Sequence, residues 1–130
     1  MSVHLRGIKP ALSPDADALT KAPPPPRHLD AFARDEWKRI MPQLIARKII
    51  TRADLGGIED LCLMRGLVRQ IEVTRADAGG QIDGKLFGVQ HRAAMAARML
   101  AAEYGLSPTS RSRLGTAAPE DDDDTDPLAV

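Results

Sequence analysis

The sequence has little cysteine, few aromatic residues and no long apolar run, and each shortage excludes a class of protein. A single cysteine, Cys62, forms no disulfide framework within the chain, which favours a reducing compartment. No apolar run approaches the roughly 18 residues of a membrane span, and the first ten residues lack a signal-peptide core. With only four aromatic side chains, reading of single-stranded nucleic acid by stacking is poorly supported. We expect a soluble, intracellular protein.

The charges are balanced in number and unevenly placed. Lys and Arg total 18, as do Asp and Glu, but residues 117–130 hold six of the acids and no base. Residues 1–116 therefore carry a formal charge of +6 and the tail carries −6. A basic body with an acidic tail favours contact with a polyanion and a tail that interacts or regulates.

Signatures of catalysis are missing from the sequence. It contains neither a glycine-rich phosphate loop ending in Lys-Ser/Thr nor a His-Glu-x-x-His motif. The three histidines, His4, His28 and His91, lie in different segments and form no zinc-type cluster with Cys62. Cys62 sits in an apolar helical stripe and is interpreted as an inert core residue. We predict no catalytic residue, no metal site and no cofactor.

The N-terminal part of the sequence predicts an extended arm followed by a helix. Residues 1–29 contain six of the ten prolines, four of them consecutive at 23–26, which favours polyproline II. Such an arm is either a stiff linker or a segment that docks on a neighbouring subunit. Asp30 is a good N-cap for a first helix, and Pro42 predicts a kink or a break in it.

The middle of the sequence predicts a long helix with clear ends. Thr51 and Asp54 have the spacing of a capping box, and Gly79 and Gly80 supply a left-handed C-cap after about Ala78. The helix would be roughly 40 Å long, which is long for so small a domain. Its expected apolar stripe is Ile58, Leu61, Cys62, Leu67, Val68 and Ile71.

The rest of the sequence predicts a helical hairpin and a tail. Asp83-Gly84 has the sequence of a two-residue β-turn, which favours a small β-ribbon or a tight loop over 81–88. An alanine-rich third helix follows over about 89–104 and lets a partner approach closely, either the second helix as an antiparallel hairpin or the same helix of another subunit. Ser107-Pro108 then opens a short helix that ends near Leu114. The predicted fold is all-α: a helical hairpin core, a kinked N-terminal helix and a short C-terminal helix. The domains are an arm (1–29), a helical domain (30–115) and a disordered acidic tail (116–130).

Three ordered motifs resemble one family. The segment EYGLSPTSRSRLG at 103–115 resembles the closing motif of a small terminase subunit family from tailed double-stranded-DNA phages. The opening of that family is matched by the proline run, His28-Leu29, Glu36-Trp37, Ile40-x-Pro42 and the segment IITRAD at 49–54. The resemblance covers about residues 23–115. The chain departs from it just before the third helix, where Gly88-Val89-Gln90 replaces the usual His-Pro or Asn-Pro.

The resemblance implies a non-catalytic DNA-recognition subunit in the host bacterial cytoplasm. Members assemble as closed homo-oligomeric rings, with nine copies as one candidate number. They bind the packaging start site of viral double-stranded DNA and pass it to a large subunit that supplies the ATPase and the nuclease. About 85 ordered residues form only a thin core, so a single chain leaves apolar surface exposed. Assembly with identical copies would bury that surface.

The candidate DNA contacts are basic residues on several helices. Phosphate contacts of this kind would weaken as salt rises, but ion pairing within or between subunits, or an ordinary solvated face, is an open alternative for several of them. In particular, Glu72 lies among the arginines of the second helix. The candidates are Lys38, Arg39, Arg65, Arg69, Arg92, Arg98, Arg111 and Arg113.

Two other functions remain open from the residues alone. The first is a dimeric helix-turn-helix regulator that uses residues 30–75 and reads a palindromic site. The second is a phage structural or assembly adaptor that does not bind DNA. The acidic tail has open alternatives too, since it could compete with phosphate for the basic body or dock on the large subunit.

Overall fold

The computed structural model describes residues 17–81 and 83–113, and every regular element in these ranges is helical. Helix α1 spans Ala31–Arg47, and a 3-10 turn at Arg52–Asp54 leads into α2, Leu55–Asp77. Helix α3 spans Gly84–Glu103 and α4 spans Pro108–Arg113. The predicted all-α class is confirmed. The whole acidic tail and the first 16 residues of the arm lie outside the described residues.

Helix α1 is capped as its sequence predicts, but it has no break. The Asp30 side chain accepts a hydrogen bond from the backbone N–H of Ala33 at 2.9 Å. The helix continues through Pro42 to Arg47, and the C-cap Lys48 has a left-handed φ of 57°. Proline leaves the carbonyl of Lys38 without its helical donor, and because Lys38 is exposed, water can bond that carbonyl. The expected break is therefore wrong, and the kink stays a prediction.

The ends of α2 follow the predicted signals. The Thr51 hydroxyl accepts from the N–H of Ala53 at 3.2 Å, and the Asp54 carboxylate accepts from the N–H of Thr51 at 2.8 Å. The capping box is thus present, although it starts a 3-10 turn ahead of α2. Gly79 and Gly80 have φ of 78° and 85° directly after the helix, which confirms the left-handed exit.

The expected β-ribbon at 81–88 is wrong for the residues that the structure describes. Asp83 is the N-cap of α3, and its side chain accepts from the N–H groups of Lys85 and Leu86 at 2.8 and 3.2 Å. Helix α3 therefore begins at Gly84, five residues earlier than predicted. The physical reason is that an aspartate before glycine suits a helix start as well as a β-turn.

Helices α2 and α3 form the predicted antiparallel hairpin. Near the loop, the Gln90 side chain donates to the carbonyl of Val68 at 3.2 Å. At the other end, Tyr104 packs on Gly57 so closely that a Cβ there would lie 1.9 Å from the tyrosine hydroxyl. These two contacts pair the first half of α3 with the second half of α2, and the end of α3 with the start of α2, which defines the antiparallel arrangement.

Helix α1 packs against α2 of the hairpin and completes the core. A Cβ on Gly66 of α2 would lie 2.8 Å from the backbone nitrogen of Ala33, so the two helix backbones approach closely there. The buried apolar cluster draws on α1, α2, α3 and the segments before and after α1. Its members are Leu29, Ala33, Trp37, Ile40, Met41, Leu44, Ile50, Ile58, Leu61, Cys62 and Ala97.

The described part of the proline-rich arm packs on its own chain. The Trp37 indole N–H donates to the carbonyl of Pro23 at 2.9 Å, and the N–H of Leu19 donates to the carbonyl of Ile50 at 2.9 Å. Leu29 is 2 % exposed within the core. Residues 17–29 are therefore held against α1, while the proposed domain boundaries remain a prediction.

Candidate nucleic-acid interface

A buried carboxylate organises the basic residues of α1 and α2. Glu36 of α1 is 2 % exposed, which is unusual for an ionisable side chain. Its two oxygens accept from the Nε and Nη2 atoms of Arg39 at 3.1 and 2.5 Å. Its Oε1 atom also accepts from Nη1 of Arg69 at 2.8 Å, which links the two helices. Two of the predicted site arginines thus share one partner.

The protonation of this cluster follows from burial and from the ion pairs. Burial alone raises the pKa of Glu36, but the hydrogen bonds and charges of Arg39 and Arg69 outweigh it and lower the pKa below its usual value. The hydrogen bond to Glu36 raises the pKa of Arg39 in turn. The carboxylate is therefore ionised at neutral pH, and both guanidinium groups are fixed in position.

Three predicted site arginines line one cavity beside this cluster. The cavity has a volume of about 250 Å³, and Arg39, Arg65 and Arg111 come to it from α1, α2 and α4. Glu36 is its one acidic lining residue. A shallower groove of about 610 Å³ shares Arg65 with the cavity and brings in Arg98 from α3.

The ends of the helices keep this surface in place. Nη1 of Arg111 donates to the carbonyl of Leu106 at 3.0 Å, which ties α4 back to the turn after α3. The carbonyl of Gly105, in the same turn, accepts from Nη1 of Arg47. Gly105 has a φ of 71°, so the turn depends on a residue without a side chain. The turn thus anchors α4 to the end of α1.

The remaining predicted site residues lie elsewhere. Lys38 is exposed on α1, and Arg92 is exposed on α3, beside Gly88. Arg113 ends α4, and its side chain lies outside the described residues. The expected neutralising role of Glu72 is seen only locally, because it pairs with Arg75 and accepts from Gln90, while Arg69 pairs with Glu36.

Glu36 is the one organising residue that our sequence reasoning missed. Its place in the Glu36-Trp37 motif indicates a family resemblance but predicts no structural role for it. A signal was present, since Ala33, Trp37 and Ile40 lie three before, one after and four after it on the apolar face of α1. A carboxylate inside such a stripe indicates burial against a cation.

Other reactive groups are sealed or dispersed. Cys62 is fully buried, and burial, followed by the charge of Glu36, raises its pKa to about 12. Its thiol is thus protonated, in agreement with the predicted core role. Among residues 17–81 and 83–113, no three His, Cys, Asp or Glu side chains form a group that could hold a metal ion. No helix in that part of the chain has both the length and the apolarity to cross a membrane.

These features define a small all-helical protein with arginines gathered at one cavity around a buried carboxylate. A family model described as phage terminase, small subunit, matches residues 33–121, which is more than half of the chain. The chain therefore belongs to the phage terminase small-subunit family, and the predicted resemblance is confirmed. No curated protein and no solved structure gives a significant match.

Proposed function

We propose that this chain is the DNA-recognition subunit of a phage genome-packaging terminase. It would bind viral double-stranded DNA at the packaging start site, in the host bacterial cytoplasm, and present it to the large ATPase and nuclease subunit. Membership of a family that is generally non-catalytic supports the division of labour. The convergence of Arg39, Arg65, Arg98 and Arg111 around one cavity and its adjoining groove is the observation that carries DNA binding.

Assembly into a homo-oligomeric ring is the second part of the proposal. Five large hydrophobic side chains are exposed in the described part of the chain, and all belong to the α2–α3 hairpin. Phe87 is 55 % exposed and Met99 is 66 % exposed. The others are Val73, Leu86 and Met95. Val73, Leu86 and Phe87 lie at the loop end of the hairpin, outside the groove that Met95 and Met99 line, and apolar surface gathered there favours burial by another protein surface. A ring of identical copies would provide that surface.

The decisive experiment measures assembly and DNA binding on the same preparation. We expect light scattering to give one closed oligomer, negative-stain images to show rings, and mobility shifts with duplex DNA to weaken steeply as salt rises. A two-fold dimer that reads a palindromic site would favour a helix-turn-helix regulator instead. An oligomer that ignores DNA and co-purifies with capsid or portal proteins would favour a structural adaptor.

The acidic tail supplies a separate prediction. Deleting residues 117–130 removes six acids and no base, so we expect the affinity for duplex DNA to rise at low salt. The gain should shrink towards higher salt because screening weakens competition between exposed charges. Mobility shifts over a salt series, with the acids replaced by Asn and Gln as a length-matched control, provide the measurement.

Two outcomes of the tail experiment would contradict competition with DNA. A second assay measures how strongly the protein stimulates the ATPase of the large subunit. Unchanged DNA affinity together with weaker stimulation of that ATPase would indicate that the tail binds the large subunit. Unchanged values in both assays would make the tail a solubilising extension.

A further inference from the structure

Arg65 differs from the arginines around it. Arg39 and Arg69 share the Glu36 carboxylate, and Arg111 donates to the carbonyl of Leu106. Within residues 17–81 and 83–113, the half-buried side chain of Arg65 has neither a hydrogen bond nor an ion pair. A partly desolvated cation without a partner is unfavourable. The site therefore favours an anion from outside this part of the chain.

The charge of the cavity points the same way. Its lining holds three arginines and one carboxylate, a formal charge of +2. That carboxylate is already bonded by Arg39 and, from outside the lining, by Arg69. Guanidinium groups present paired N–H donors that match the oxygens of a phosphate. An oxyanion is the ligand that such a lining favours.

Size restricts the ligand to a single group. The cavity of about 250 Å³ is smaller than the roughly 300–1,000 Å³ of pockets that enclose a whole small-molecule ligand. It continues into the groove of about 610 Å³, with Arg65, Ala101 and Leu106 lining both. Arg98 is the second cation of the groove, whose other lining residues are mainly apolar and include Met95 and Met99. This shape suits one phosphoryl group in the cavity and a connected chain outside it.

We propose that the cavity binds one phosphoryl group, contacted by Arg39, Arg65 and Arg111, with Glu36 as the positioning residue that fixes Arg39. The group would come from a phosphodiester strand that continues along the groove towards Arg98. The identification of the phosphoryl group as part of a DNA strand rests on the proposed function. Free inorganic phosphate offers the same chemistry, so the experiment separates the two sources.

The first arm of the experiment uses duplex DNA and the full-length assembled protein. We expect Arg65→Gln to weaken binding roughly tenfold. The slope of log K against log salt should fall in magnitude by about 0.9 for each subunit that contacts the duplex. Arg27→Gln is the matched control, because it removes the same charge from an exposed residue outside the lining of cavity and groove. The control should keep the affinity and the slope.

The second arm uses inorganic phosphate without DNA. Phosphate, titrated at constant ionic strength, should raise the thermal midpoint of the wild type and of Arg27→Gln, but not that of Arg65→Gln. Arg65→Lys keeps the positive charge but loses the planar guanidinium with its paired N–H donors. It should therefore retain the salt slope of DNA binding and show a smaller rise of the thermal midpoint with phosphate. Without phosphate, Arg65→Gln should unfold no earlier than the wild type, whereas a structural role for Arg65 would lower its midpoint.

The outcomes separate the cavity from the proposed function. Salt-sensitive DNA binding that is equal in the Arg65 and Arg27 variants, with no phosphate response, would overturn the cavity as a site and leave DNA recognition to another surface. An Arg65-dependent phosphate response without any duplex binding would keep the cavity, identify free phosphate as the source, and overturn the proposed function.

Discussion

Replacing Gly66 by alanine should lower the free energy of unfolding by about 1–3 kcal/mol, the usual effect of overpacking a closed core. The new Cβ would lie 2.8 Å from the backbone nitrogen of Ala33, and 3.2 Å from the carbonyl carbon of Phe32. Both atoms belong to the α1 backbone, so no side-chain rotation relieves the overlap. Helix α1 must move away from α2, which would also strain the link between Glu36 and Arg69.

A matched control on the same helix separates packing from helix propensity. Gly56 is exposed near the start of α2, and a Cβ there meets nothing within 4 Å. Gly56→Ala should therefore stabilise the protein by roughly 0.4–1 kcal/mol, because alanine reduces the freedom of the unfolded chain. Urea unfolding at one fixed protein concentration measures both variants. Equal stabilisation by the two substitutions would show that α1 and α2 are not in close contact at Gly66.

Local signals predicted the parts of the fold that depend on neighbouring residues. The capping box of Thr51 and Asp54 and the exit at Gly79-Gly80 were identified because their hydrogen bonds and φ angles concern residues within one helical turn. Asp83-Gly84 shows where such signals fail. The same dipeptide suits a β-turn and an N-cap, and the outcome is decided by the packing of α3 on α2, which lies beyond local sequence.

Long-range contacts could not be predicted in the same way. The proline-rich arm was expected to extend as a linker or to reach a neighbour, yet Trp37 holds Pro23 across 14 positions of sequence. Nothing in the proline run indicates that partner, because polyproline II exposes carbonyls that any donor can bond. The contact depends on how α1 packs against the segment, which is a tertiary property.

The candidate site was predicted as a set of residue types and not as a geometry. The sequence predicts basic site residues on four helices, but it does not show that Arg39, Arg65 and Arg111 face one cavity while Lys38 and Arg92 do not. That selection depends on how α4 returns over the end of α3 and on where Glu36 is buried. Both are consequences of tertiary packing.

Among substitutions that preserve the volume of the side chain, Glu36→Gln should lower the free energy of unfolding most. Both carboxylate oxygens accept hydrogen bonds from Arg39, and one also accepts from Arg69. Glutamine offers one acceptor oxygen and turns an NH2 group towards a guanidinium, so a donor faces a donor. We expect a loss of roughly 2–3 kcal/mol in the free energy of unfolding. The value lies below that for a fully buried pair, because Arg39 and Arg69 are 57 % and 40 % exposed and are partly screened by water.

The dependence of this loss on pH distinguishes a buried ion pair from a packing defect. Because folding lowers the pKa of Glu36 from its ordinary value of 4.5, the carboxylate contributes stability that is fully present above that value. The contribution disappears as pH falls through the lowered pKa of the folded state, so the free energies of unfolding of the wild type and Glu36→Gln should converge in acid.

Glu72→Gln is the matched control, since Glu72 also pairs with an arginine three residues later but is exposed. The control should change the free energy of unfolding much less. If the difference in this free energy between the wild type and Glu36→Gln were equal at pH 7 and in acid, the shape of Glu36 and not its charge would be what the fold requires.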